Sequence, residues 1–84
     1  MEGNKVYTEI IVDVTDRGDF RLQHVSDAFS QEGKVVEFWG GDVVDEGVKK
    51  FAYKLRIAGD TTVPELTAAA RQAGLVVLEN AQEV

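Results

Sequence analysis

Eighty-four residues with no cysteine suit one small domain, near the lower limit for a core without metals or disulfides, and exclude thiolate chemistry. Fifteen acidic against nine basic residues give a formal charge of −6, so a phosphate backbone repels the chain unless its cations cluster. No apolar run approaches membrane-spanning length and the opening MEGNK lacks the apolar core of a signal peptide, so the expectation is a single cytoplasmic domain over residues 1–84, whole or part of a longer protein, without membrane insertion.

Residues 1–4 read as a lead-in. From Lys5 to Val14 the pattern alternates, with Val6, Thr8, Ile10, Val12 and Val14 on one face and Tyr7, Glu9, Ile11 and Asp13 on the other. Period two with β-branched residues predicts a strand with one face on a core. Thr15-Asp16-Arg17-Gly18 breaks the alternation, and Thr15 or Asp16 can cap a helix there. Leu22, Val25, Ala28 and Phe29 then recur at helical spacing, and Gly33 stops the helix.

Lys34 to Gly41 predicts a second strand, with Gly40-Gly41 marking a bend or bulge. After the turn signal Asp45-Glu46-Gly47 a third strand runs from Val48 to Ala58. It carries Phe51, Tyr53, Leu55 and Ile57 on one face and Lys50, Ala52, Lys54 and Arg56 on the other. Thr62-Val63-Pro64-Glu65 is a capping box with a proline in the first turn. Leu66, Ala69, Ala70 and Ala73 form the buried stripe of a second helix, which Gly74 ends. Leu75 to Leu78 predicts a short fourth strand, and Glu79 to Val84 a fraying tail.

The order β-α-β-β-α-β predicts an α+β, ferredoxin-like sandwich: a four-stranded antiparallel sheet with two helices on one face. Strands one and three are then neighbours. Glu9 and Asp13 on the first oppose Lys50, Lys54 and Arg56 on the third, a favourable cross-strand charge pattern.

Little in the chain points to catalysis. His24, the one histidine, falls on the solvent side of helix one. Asp42, Asp45 and Glu46 cluster at the hairpin without the spacing of a calcium loop. The expectation is no enzyme activity, no cofactor and no metal. Two stretches resemble RNA-recognition modules: Ala28 to Val36, and the aromatic Lys49-Lys50-Phe51-Ala52-Tyr53. Parity argues against nucleic acid, because exposing Phe51 and Tyr53 on the open face would drive Lys54 and Arg56 into the core.

Asp16-Arg17-Gly18 followed by Leu22, Val25, Ala28-Phe29 and Gly33 resembles the first loop and helix of ACT domains, small regulatory modules. The likeness extends through the same order of elements over the whole chain. The family's Asp-Arg-Pro-Gly turn lacks its proline here, and Gly18 lies further ahead of Val25 than the family spacing. A similar module forms the cytosolic tail of MgtC-type membrane proteins, and the run from Tyr53 to Glu79 suits that setting. The resemblance implies a pocket for a small metabolite such as an amino acid at Thr15, Asp16, Arg17 and Gly18, near a contact between two copies. Backbone N–H groups and Arg17 would receive a carboxylate, while Asp16 and Asp19 oppose one. A capped turn without a ligand accounts for the same residues.

The helix-free sheet face offers an interface. Tyr7, Ile11, Val35 and Trp39 lie on it or at its edge, where a homodimer or another partner can anchor. Trp39 turned into the core is the alternative.

Overall fold

The computed structural model describes residues 6–84. The expected lead-in, and the start of the first strand at Lys5, lie outside them. Six elements follow in chain order: β1 (Tyr7–Asp13), α1 (Gly18–Ser30), β2 (Val36–Asp45), β3 (Val48–Ala58), α2 (Val63–Gln72) and β4 (Ala81–Glu83). The sheet is four-stranded and antiparallel, in the order β1-β3-β2-β4. The architecture is α+β.

The two-residue turn at Glu46 and Gly47 has positive φ at both positions, 52° and 84°. That matches the twist of a tight hairpin and closes β2 on β3 from Asp45↔Val48 to Val36↔Ile57. The register is unbroken, so Gly40-Gly41 is not the bulge its glycines suggest. Gly40 instead leaves room for the Phe51 ring, which a Cβ there would strike.

Both helices cover one sheet face. Leu22, Val25 and Phe29 of α1, with Leu66, Ala70 and Ala73 of the second helical segment, close over Ile10, Val12, Val36, Leu55 and Ile57. Ala28, expected in the buried stripe, is exposed; Gly18 takes the N-terminal position on that stripe. Neither Thr15 nor Asp16 caps α1. The cap position is Arg17, in the left-handed region at φ 61°, and no side chain bonds the free N–H groups. The φ > 0 kink turns the chain sharply enough for the Gly18 backbone to reach the sheet. A Cβ at Gly18 would sit 3.2 Å from Tyr53 Cε2.

The start of α2 follows its sequence. Thr62 N–H donates to Glu65 Oε1 at 2.8 Å, and Glu65 N–H donates to Thr62 Oγ1 at 3.3 Å. The Thr62 N–H bond, and then the hydroxyl bond, hold the Glu65 carboxyl below its usual range. A depressed carboxyl stabilises the fold above the ordinary Glu pKa of about 4.3 and loses that contribution as pH falls through the lower folded value. The stability gap between wild type and Glu65→Gln should therefore shrink as pH is lowered from about 6 to about 3. Urea midpoints across that range check it, and a pH-independent gap would refute the assignment.

The third strand splits the expected face. Tyr53, Leu55 and Ile57 lie under the helices, but Phe51 runs past them and is 52 % exposed, edge-on to Tyr53 at 6.0 Å. Both rings are on the helix side of the sheet, not on the side a base-stacking surface would use.

The C-terminal segment differs most from expectation. Leu75–Leu78 does not form a full strand. Asp13 N–H donates to Val76 O at 2.8 Å, Leu78 N–H donates to Ile11 O at 2.9 Å, and Val12 bridges Val77. The expected fraying tail is β4, paired with β2 through Val43↔Glu83, Val44↔Gln82 and Asp45↔Ala81. One short run of chain thus touches both outer edges of the sheet, which curls almost closed on its helix-free side. There Val43 and Ala52 are fully buried and Lys54 is 8 % exposed, its Nζ 3.0 Å from Glu83 Oε1. Gly41 accommodates that ammonium, since a Cβ there would stand 3.3 Å from Nζ. The cross-strand charges pair only partly as expected: Asp13 meets Lys50 at 3.3 Å, but Arg56 faces Glu9 in register and bonds Glu37.

Candidate functional site

Two places gather the residues of interest. The first is the β1–α1 turn. Thr15 is half-buried, Asp16 and Arg17 are exposed and Gly18 is buried. Gly18 N–H is taken by Thr15 O at 3.0 Å, and the Asp16 carbonyl accepts from Arg21 Nε at 3.3 Å. Arg21 also donates from Nη1 to Ala73 O at 3.0 Å, capping the end of α2. Gly74 favours glycine because its φ is +90°, and a Cβ there would displace the Arg21 guanidinium from Ala73 O.

A groove of about 320 Å³ opens beside the turn, lined by Arg17, Phe20, Arg21, His24, Gln72 and Ala73. Of the four turn residues only Arg17 lines it. Phe20, His24 and Gln72 were not singled out as site residues. The signal for the first two was present, because Arg17, Phe20, Arg21 and His24 share one face of a helix. From the sequence alone His24 falls on the solvent side of helix one, because nothing local shows what stands opposite it. The groove offers cations and one exposed aromatic ring, with the two carbonyl-bonded donors of Arg21 already in use. It suits a small anion with an apolar part, and it holds no nucleophile with a base beside it.

The second place is the open half of the helix-free face. Tyr7 from β1 and Trp39 from β2 flank Arg56 on β3, whose Cζ lies 4.4 Å from the Tyr7 ring centroid and 5.4 Å from that of Trp39. Arg56 Nε donates to Glu37 Oε1 at 2.9 Å, and Nη2 forms an ion pair with the same oxygen at 2.8 Å. That hydrogen bond holds the guanidinium pKa above its usual value, so the charge is permanent. Two rings and an ion pair make Arg56 a stiff strut rather than a free cation. Trp39 therefore does not turn into the core; it is 38 % exposed.

Val35 is exposed just before β2, so it adjoins this surface. Ile11 does not join it. The C-terminal segment covers that half of the face, where Glu9, Ile11, Lys54, Ala81 and Glu83 line a cavity of about 240 Å³. Arg56 joins this surface as well, since it shares the parity of Tyr7 and Trp39.

Beside this cluster runs a free sheet edge. β4 pairs with β2 only at Val43–Asp45, and among the described residues no strand lies against Val36–Gly41. Phe38, 37 % exposed, stands on the helix side of that edge.

Among the described residues no helix is long and apolar enough to cross a membrane, and no cluster of His, Cys, Asp and Glu is placed to hold a metal ion. Comparison with protein-family models, with curated proteins and with solved structures finds no match.

Proposed function

We propose that this chain is a non-catalytic, ACT-like regulatory domain of ferredoxin-like plan that works by associating with a second copy of itself. The observation that carries the reading is the free edge of β2, bordered by exposed Val35, Phe38 and Trp39. A sheet edge with unpaired N–H and C=O groups invites another strand unless a charge, proline or bulge blunts it. The β-α-β-β-α-β order, with Val76–Leu78 set against β1, supports the ferredoxin-like plan. The groove beside Arg17 is where a small metabolite carrying a carboxylate would sit, which makes the module a sensor. An assembly domain without such a ligand is the second reading, favoured by the lining of that groove, which includes no residue of β2.

Light scattering across a concentration series should give twice the chain mass. Trp39→Glu replaces the exposed ring beside the edge with a carboxylate and should return the mass to that of one chain. A wild type that stays monomeric defeats the proposal. Melting with a panel of amino acids and other small carboxylates separates the two readings. A shift that Arg17→Ala abolishes marks a sensor, and a flat panel marks an assembly domain.

A further inference from the structure

We infer that two copies pair through β2, antiparallel about a two-fold axis at Phe38. The inference rests on the association proposed above and specifies its geometry.

Backbone direction comes first. The β2–β3 register is unbroken from residue 36 to residue 45, so N–H and C=O groups alternate regularly between the two edges of β2. Val84 N–H reaches Asp42 O from the outer side at 3.4 Å. Even-numbered residues therefore point outward, and Val36, Phe38 and Gly40 present free donors and acceptors.

The length of the opening then selects the register. β4 and Val84 occupy the edge from Asp42 to Asp45. An axis at Gly40 would bring Val36 of the second copy onto Val44, where Gln82 already sits. An axis at Trp39 would bring it onto Asp42, whose carbonyl serves Val84. An axis at Glu37 would set two carboxylates face to face, which is unfavourable. An axis at Phe38 places Phe38 on Phe38 and Val36 on Gly40 of the second copy, twice by symmetry. Three such pairs supply roughly six backbone hydrogen bonds.

The side chains agree with that register. On the helix side the two Phe38 rings meet, and Phe51, lying across Gly40, extends the apolar strip. On the other side Trp39 faces Glu37 of the second copy. Arg56, stacked on Trp39, then comes against a carboxylate rather than another cation. No like charges oppose each other. Val36–Gly41 contains no lysine, proline or bulge, and its one charge, Glu37, is held by Arg56 and faces Trp39 of the second copy.

The absence of native cysteine makes the test direct. Facing residues of a hydrogen-bonded antiparallel pair have Cα atoms about 5.5 Å apart, within disulfide range. Phe38→Cys should form a covalent dimer under mild oxidation at least about tenfold faster than Glu37→Cys or Val48→Cys. In the unmodified protein, amide exchange at Val36, Phe38 and Gly40 should slow as concentration rises. A dimeric wild type in which those three amides are indifferent to concentration, or in which Glu37→Cys links faster than Phe38→Cys, overturns the geometry and leaves the association standing. A wild type that is monomeric throughout overturns both.

Discussion

Glu83→Ala should destabilise the fold by about 1–3 kcal/mol, a large effect for a residue three positions into a short edge strand. The reason lies across the sheet. Lys54 is almost fully buried on the helix-free side, and among the described residues Glu83 is its only ion-pair partner. Removing one partner of a buried pair leaves a charge without compensation, which costs several kcal/mol when no water can reach it. Glu83 is itself more than half exposed, so water moderates the loss and the lower figure applies. Lys54→Met should cost less than about 1 kcal/mol, because it removes the charge and keeps the volume. In the Lys54→Met background, Glu83→Ala should then be close to neutral. Urea denaturation of the four proteins measures the cycle. If Glu83→Ala alone falls within about 0.5 kcal/mol of wild type, as surface changes do, the pair is not what closes the sheet.

Leu55→Ala should have the largest effect on stability, about 2–5 kcal/mol. Leu55 is fully buried at the centre of β3, facing Ile10 on β1 and Phe38 on β2, beneath both helices. A domain of this length has roughly 4–12 kcal/mol of stability, so the loss approaches the whole of it at the lower end. The melting temperature should fall by roughly 10–30 °C. Phe51→Ala, two residues beyond Tyr53 on the same sheet face, should cost about 1 kcal/mol or less, since that ring is half in solvent. Equal losses at the two positions would mean that the helices extend over Phe51 after all.

Much of this was readable from local pattern. The capping box at Thr62 and Glu65, the glycine stops at Gly33 and Gly74 and the tight turn at Glu46-Gly47 are decided by residues within a few positions of one another. Alternation placed Tyr53, Leu55 and Ile57 on the core side, while Trp39 stayed open between the bare face and the core until the fold left it 38 % exposed. What escaped reading depended on contacts distant in sequence. Alternation assigns Phe51 to a face but not to the stretch of that face that a helix covers. Glu79 to Val84 look like a polar tail until Glu83 meets Lys54 and Ala81–Glu83 meet β2. The groove beside Arg17 exists because Gln72 and Ala73 of a distant segment stand opposite α1.

By itself the sequence determined the types and order of the first five elements, most of their ends and the side of the sheet that meets the helices. These follow from backbone preferences and from the two periodicities of buried apolar residues, which act over one or two turns of chain. Tertiary structure alone decided that the sheet curls, that a lysine is buried beneath its last strand, and that one third of β2's outer edge is occupied while the rest stays open. Those outcomes depend on where two distant segments meet, and pairing energy of that kind leaves no periodic mark in either segment.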